Sequence, residues 1–173
     1  MSPGIPLAAV PSKPPLEPYP PDLDDGLVDA VVADADWANR RVPRASLQRV
    51  ELQRVRLTGI ELAEASLRDV AFVECRLDLA GLRFARLERV VFRDCRLEEA
   101  DLYGATLKDV MFERCVLREA MLSRAKLDRC ELRGCDLTGL SGAEQLRGAR
   151  MPWQDVVANA ALFAAALEIE ILD

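Results

Sequence analysis

Leu or Phe stands at every fifth residue from Leu47 to Leu137 without a slip, nineteen units in all. Two residues before each stands a small apolar residue, and the two residues after it are mostly polar. Ala85-Arg-Leu87-Glu-Arg is followed by Val90-Val-Phe92-Arg-Asp, Cys95-Arg-Leu97-Glu-Glu and Ala100-Asp-Leu102-Tyr-Gly. A period of five fits neither the 3.6 of a helix nor the 2 of a strand. Few folds accept it, so it constrains the chain more than any other feature.

A second period is nested in the first. Phe72, Phe92 and Phe112 are twenty residues apart, as are Cys75, Cys95, Cys115 and Cys135. The same lag joins Val50, Val70, Val90 and Val110, and also Ala45, Ala65, Ala85, Ala105 and Ala125. Like residues at a fixed lag predict stacking. Four five-residue sides then make one coil, and coils lie at the strand spacing of roughly 4.8 Å. Each coil buries its apolar residues against the next, as solenoids do. The expectation is an all-β solenoid.

These units resemble the pentapeptide-repeat family, whose consensus is Ala-Asp/Asn-Leu-x-x. The resemblance implies a right-handed quadrilateral β-helix in which the Leu or Phe and the small residue two before it both point inward. The handedness is implied by the resemblance, not by the spacing.

Half of the 173 residues are hydrophobic, but only 5% are aromatic, as a narrow interior filled by leucine requires. No apolar run is long enough to span a bilayer. The N-terminus lacks the charged and apolar regions of a secretory signal, so a cytoplasmic location is the expectation. Cys75, Cys95, Cys115 and Cys135 share one stack, and Cys130 takes a Val position on the neighbouring side. They read as small core residues. Parallel inward side chains suit disulfides poorly. With no CxxC and no histidine, a zinc site is not expected.

The organisation along the chain follows. Residues 1–22 carry eight prolines and predict a disordered or polyproline tail. Residues 23–44 extend the register backwards through Leu27, Val32, Trp37 and Val42, with Arg40 breaking the small position. A short helix competes there with a degenerate first coil that covers the N-terminal end, and the coil is the favoured reading. Residues 45–140 are the repeat region. Residues 141–173 begin with a loop around Ser141–Gln145, after which Leu146, Ala149 and Met151 bring the pattern back one residue early. From Trp153 to about Leu167, Val156, Val157, Ala160, Phe163, Ala164 and Leu167 recur at helical spacing behind Pro152. This predicts an α-helical cap. The end, Glu168-Ile-Glu-Ile-Leu-Asp173, alternates like a short strand. The cap has two readings, a cover for the open end or a dimer contact, and the family resemblance implies that such segments pair two chains. A homodimer is therefore expected.

Outward positions indicate what the surface does. The column Arg49, Asp69, Arg89, Asp109, Arg129 alternates in sign at every coil, and so do Arg93, Glu113 and Arg133. Like-sign ladders would repel, so alternation solves a stacking problem. Between residues 45 and 140, 17 acidic residues meet 17 basic ones. The family resemblance admits a DNA-gyrase-binding role by duplex mimicry, linked to quinolone-type susceptibility. A mimic needs a continuous acidic face, which this cancellation weakens. Direct nucleic-acid binding is not expected from the sparse, sign-mixed basic side.

Two apolar groups complete the outward surface. Ala71, Val91 and Met111 precede the Phe column, and Phe84, Tyr103 and Met121 lie on or near the fourth side. Both are candidate protein contacts. Catalysis is not expected, for there is no histidine for acid–base work near neutrality, no phosphate loop and no place for a pocket in a leucine-filled solenoid. Neither a cofactor nor a metal is expected. The reading is a non-catalytic binding or scaffold module, with the gyrase-directed role as the alternative.

Overall fold

The structure is a computed structural model that describes Leu23 and residues 26–172. The expectation of a proline-rich tail over 1–22 lies outside the described residues. Strands β1 (Leu27–Ala33), β2 (Ser46–Gln53), β3 (Ser66–Val73), β4 (Arg86–Arg93), β5 (Thr106–Lys108), β6 (Met111–Glu113), β7 (Lys126–Asp128) and β8 (Glu131–Arg133) form one sheet. Every pairing in it is parallel, and partners stand twenty residues apart: Leu27 with Leu47, Phe72 with Phe92, Phe92 with Phe112. Single parallel bridges carry the same lag along the other two sides, as at Arg56 with Arg76 and Gly81 with Asp101. The chain thus winds once per twenty residues into a four-sided coil.

The spacing works because of the corners. Every fifth residue from Asp29 to Gly139 has positive φ, between 50° at Arg114 and 70° at Gly139. A left-handed residue turns the chain by one side and returns the next Leu to the interior. After the third and fourth sides a hydrogen bond also closes the turn, as from Ala80 N to Leu77 O (3.0 Å) and Ala85 N to Leu82 O (3.1 Å). The left-handed residue is then the third of a type II turn. Aspartate before the large residue serves the same turn: Asp101 accepts from Tyr103 N (2.9 Å), and Asp136 from Thr138 N (3.1 Å).

The interior is one continuous apolar column. Leu77, Leu82, Leu97, Leu102 and Leu107 are fully enclosed, and Phe72, Phe92 and Phe112 are stacked and buried. A side chain so enclosed contributes about 1.5–3 kcal/mol relative to an exposed one. Cys75, Cys95, Cys115 and Cys130 are buried and Cys135 half-buried, all as free thiols. Each thiol hydrogen-bonds backbone carbonyls, as from Cys95 Sγ to Phe72 O (3.3 Å).

At the N-terminal end, residues 27–44 form a coil in register with the next one, and the competing helix is absent from this span. Trp37 is buried within it, and Leu23 is buried at the edge of the same core. At the C-terminal end the register slips as expected. Glu131 pairs with Arg150, nineteen residues on, across a 3-10 turn at Ala143–Leu146.

The cap departs from expectation in two respects. The helix is two short ones, α1 (Trp153–Ala158) and α2 (Ala160–Ala166). The break is at Asn159, whose φ of −109° is not helical and whose side-chain amide donates to Asp155 O (2.8 Å). Such local bonding competes with the helix ladder. Nor does the alternating terminal segment form a strand over residues 168–172. No neighbouring strand pairs with it, and alternation alone does not supply one.

Candidate contact surfaces

The charge columns set the electrostatics of the surface. Arg89 grips Asp69 of the preceding coil through two hydrogen bonds, 2.5 and 2.9 Å. Arg129 grips Asp109 (2.6 and 2.8 Å) and Arg114 grips Asp94 (2.7 and 2.9 Å) in the same way. Arg49 holds Asp29, and Arg93 meets Glu113 at 2.7 Å. The paired guanidinium in each case holds Asp69, Asp94 and Asp109 below the usual carboxylate range. Exposed pairs of this kind add little stability individually. Their effect on the surface is larger, since they leave few unopposed carboxylates along these columns.

The two candidate apolar groups differ. Ala71, Val91 and Met111 are buried, with exposures of 9%, 2% and 9%, which corrects their reading as an exposed contact. Each is covered above and below by its own column, and Val91 stands between Arg89 and Arg93, two residues away on either side, whose stems screen apolar surface. The column ends at Glu131, a buried carboxylate. It accepts from Arg150 Nη2 (2.9 Å) and pairs with Arg133. Sequence reasoning missed this ion pair, because it depends on the one-residue slip that brings Arg150 alongside.

Phe84 and Tyr103 lie together on the surface, and Met121 is exposed on the same fourth side. Phe84 is 52% exposed, Met121 38%, and Tyr103 is half-buried. The rings of Phe84 and Tyr103 meet edge-on at 5.7 Å. The Arg83 guanidinium lies over Tyr103 at 4.6 Å and that of Arg124 at 5.9 Å, within reach of a cation–π attraction. Phe84 occupies a left-handed corner, φ 57°, and its ring lies against Gly104 of the next coil. A Cβ on Gly104 would come within 2.6 Å of that ring.

In the cap, Val156, Leu162, Phe163, Ala164 and Ala166 are half-buried, and Leu162, Phe163 and Ala166 pack on the end of the core. Trp153 (79%), Val157 (55%) and Leu167 (64%) are exposed, and so is Ala160. These four therefore do not cover the open end of the core. The break at Asn159 rotates the second helix and brings Leu162 and Ala166 inward instead. Between the cap and the last coil lies an apolar cleft of about 440 Å³ lined by Leu146, Met151, Val156, Phe163 and Ala166 among others.

A parallel four-sided coil with paired charges and a helical cap defines the class: a right-handed quadrilateral β-helix. The chain belongs to the pentapeptide repeat family. The family description "Pentapeptide repeat region" matches residues 45–122 and 65–141, together more than half of the chain. Among solved structures it is similar to a pentapeptide repeat protein of the Arabidopsis thaliana thylakoid lumen. Identity there is 22% and the TM-score 0.55, over 64% of this chain and 75% of that one. A pentapeptide repeat protein from Nostoc is 26% identical over 65% of this chain and 85% of that one, with a TM-score of 0.32. QnrB1, a plasmid-mediated fluoroquinolone resistance protein, is 13% identical over 81% of this chain and 100% of that one, with a TM-score of 0.41. No curated protein matches the chain in sequence. Among the described residues no helix is long and apolar enough to cross a membrane.

Proposed function

We propose that this protein is a non-catalytic binding module that works as a homodimer joined through its helical cap. The observation that carries the dimer is the two-sidedness of that cap. Its half-buried side covers the last coil, while Trp153, Val157 and Leu167 remain exposed. Large apolar residues concentrated at one end of a molecule mark an association surface. The remaining contact surface is the Phe84–Tyr103–Met121 patch, whose aromatic and arginine content is that of interface hot spots. Sedimentation velocity over a micromolar concentration series tests the dimer. Wild type is expected to dimerise, and Trp153→Glu with Val157→Glu to be monomeric at unchanged thermal stability. A wild-type chain that stays monomeric throughout would end this reading.

The gyrase-directed reading asks for carboxylates unopposed by cations. Asp29, Asp69, Asp94 and Asp109 each meet an arginine of the next coil, so the surface favours the binding module. A gyrase supercoiling assay with purified protein separates the two, and no effect at micromolar concentration is expected.

A further inference from the structure

Most arginines of the repeat region are occupied by carboxylates, but a group beside the aromatic patch is not. Among the described residues Arg86 and Lys126 make no ion pair, and the contact of Arg124 is with the Tyr103 ring. All three stand at the corner between the fourth and first sides: Arg86 on the coil of Tyr103, Arg124 on the next, and Lys126 one coil further, two coils from Arg86 through Thr106. The corner therefore offers exposed apolar rings rimmed by unopposed positive charge. Its last coil adjoins the cap, for Met121 bridges to Ser141 where the cap begins.

The chain holds one segment of the complementary chemistry. α2 ends in a Schellman-type turn, with Glu168 at φ 57° and Ile169 N bonded to Ala164 O (2.8 Å). Beyond it, Glu168-Ile-Glu-Ile-Leu alternates acid with large apolar residues. Ile169, Ile171 and Leu172 are 56%, 64% and 84% exposed, and no strand forms there. A peptide of this kind presents side chains for pockets and carboxylates for cations.

We propose that the Phe84–Tyr103 patch, with Arg86, Arg124 and Lys126, binds the acidic segment 168–172 of a second copy of this chain. The proposal rests on the homodimer reading, in which the segment of one chain reaches the patch of its partner. Ile169 and Ile171 then lie against the aromatic rings, and Glu168 and Glu170 face the cations.

The test is charge reversal in the full chain, read by sedimentation at low salt. Arg124→Glu with Lys126→Glu, in one chain, is expected to weaken self-association at least tenfold. Glu168→Lys with Glu170→Lys, in another, is expected to do the same. All four residues are surface-facing, so melting temperatures should be unchanged. Mixing the two variants places an acidic segment on a basic patch and a basic segment on an acidic patch, and is expected to restore association. Recovery on mixing requires contact between chains. Two results overturn the proposal: association unaffected by either reversal, or no recovery in the mixture. If the reversals do nothing while Trp153→Glu with Val157→Glu gives monomers, the cap-mediated dimer stands and the segment–patch contact does not. A wild-type chain that never associates removes both.

Discussion

The ring of Phe92 lies flat on that of Phe72, with centroids 4.8 Å and planes 6° apart. Phe112 repeats the relationship at 5.0 Å and 4°. Isolated aromatic pairs prefer offset or edge-on arrangements. Here the coil repeat dictates the geometry, because the backbone spacing between parallel strands and the ring spacing are the same length. The Phe column is therefore a direct readout of the solenoid register.

Truncating the middle ring leaves a gap that neighbouring coils cannot close, since their spacing is held by the backbone ladder. Phe92→Ala is expected to cost about 3–5 kcal/mol, measured by denaturant unfolding. Leu97→Asp, which places a charge between packed coils, is expected to unfold the domain. Arg89→Ala removes a partly exposed pair and is expected to cost far less. A melt in which Arg89→Ala is worse than Leu97→Asp would refute the register.

The corners predict opposite glycine effects. Leu79 is 56% exposed and holds φ 60°. Leu79→Gly relieves left-handed strain at some cost in chain entropy, for a net gain on the order of 0.5–1 kcal/mol. Gly142 has φ 77°, and a Cβ there would lie 2.5 Å from the backbone nitrogen of Ser123. Gly142→Ala is expected to cost on the order of 1–3 kcal/mol. Thermal melts of the two variants should move in opposite directions.

The buried thiols predict protection. Hydrogen bonding to Cys115 and burial both push the Cys95 thiol up, and burial pushes up that of Cys130. Hydrogen bonding to Cys95 and to Cys135 lowers Cys75 and Cys115 instead, so protection of all four rests on enclosure, which keeps the reagent from the sulfur. Iodoacetamide is expected to leave Cys75, Cys95, Cys115 and Cys130 unmodified in the native protein. All five cysteines should label in denaturant, and peptide mass spectrometry distinguishes the two states.

Acid should weaken the fold in a defined window. Thr138 and Arg118 hydrogen-bond Asp136 and pull its pKa from 3.8 to about 2. Asp69 and Asp109 are lowered by Arg89 and Arg129. A group lowered in the folded state stabilises it above the unfolded value, and that contribution is lost as pH falls through the folded value. The melting temperature is therefore expected to be flat from pH 7 to 5 with respect to these groups, and to fall between about pH 4 and 2. A melting temperature that rises on acidification across that window would contradict the pairing.

The repeat was legible because its information is one-dimensional. A large apolar residue at every fifth position from Leu27 to Leu137, Leu or Phe from Leu47 on, and like residues at every twentieth specify which side chains face inward and which ones stack. The one-residue slip before Met151 was legible for the same reason. The left-handed corners were not. Only four of the corner residues in the repeat region, Gly59, Gly104, Gly134 and Gly139, carry the expected signal. Parallel pairing to adjacent coils holds the others in that conformation, against local preference. The cap was legible as helix, but its break at Asn159 depends on a side-chain bond to Asp155 O.

The sequence alone determined the winding of this protein, because a strict five-residue spacing of large apolar groups permits one continuous interior. It also determined the sign alternation of charges, which follows from coil stacking. Only the tertiary structure decided what is covered. Ala71, Val91 and Met111 look outward in the pattern yet are enclosed, while Phe84, of the same chemical kind, is left half in solvent. Coverage depends on what lies in the coils above and below and along the neighbouring side, and that is a property of three-dimensional packing.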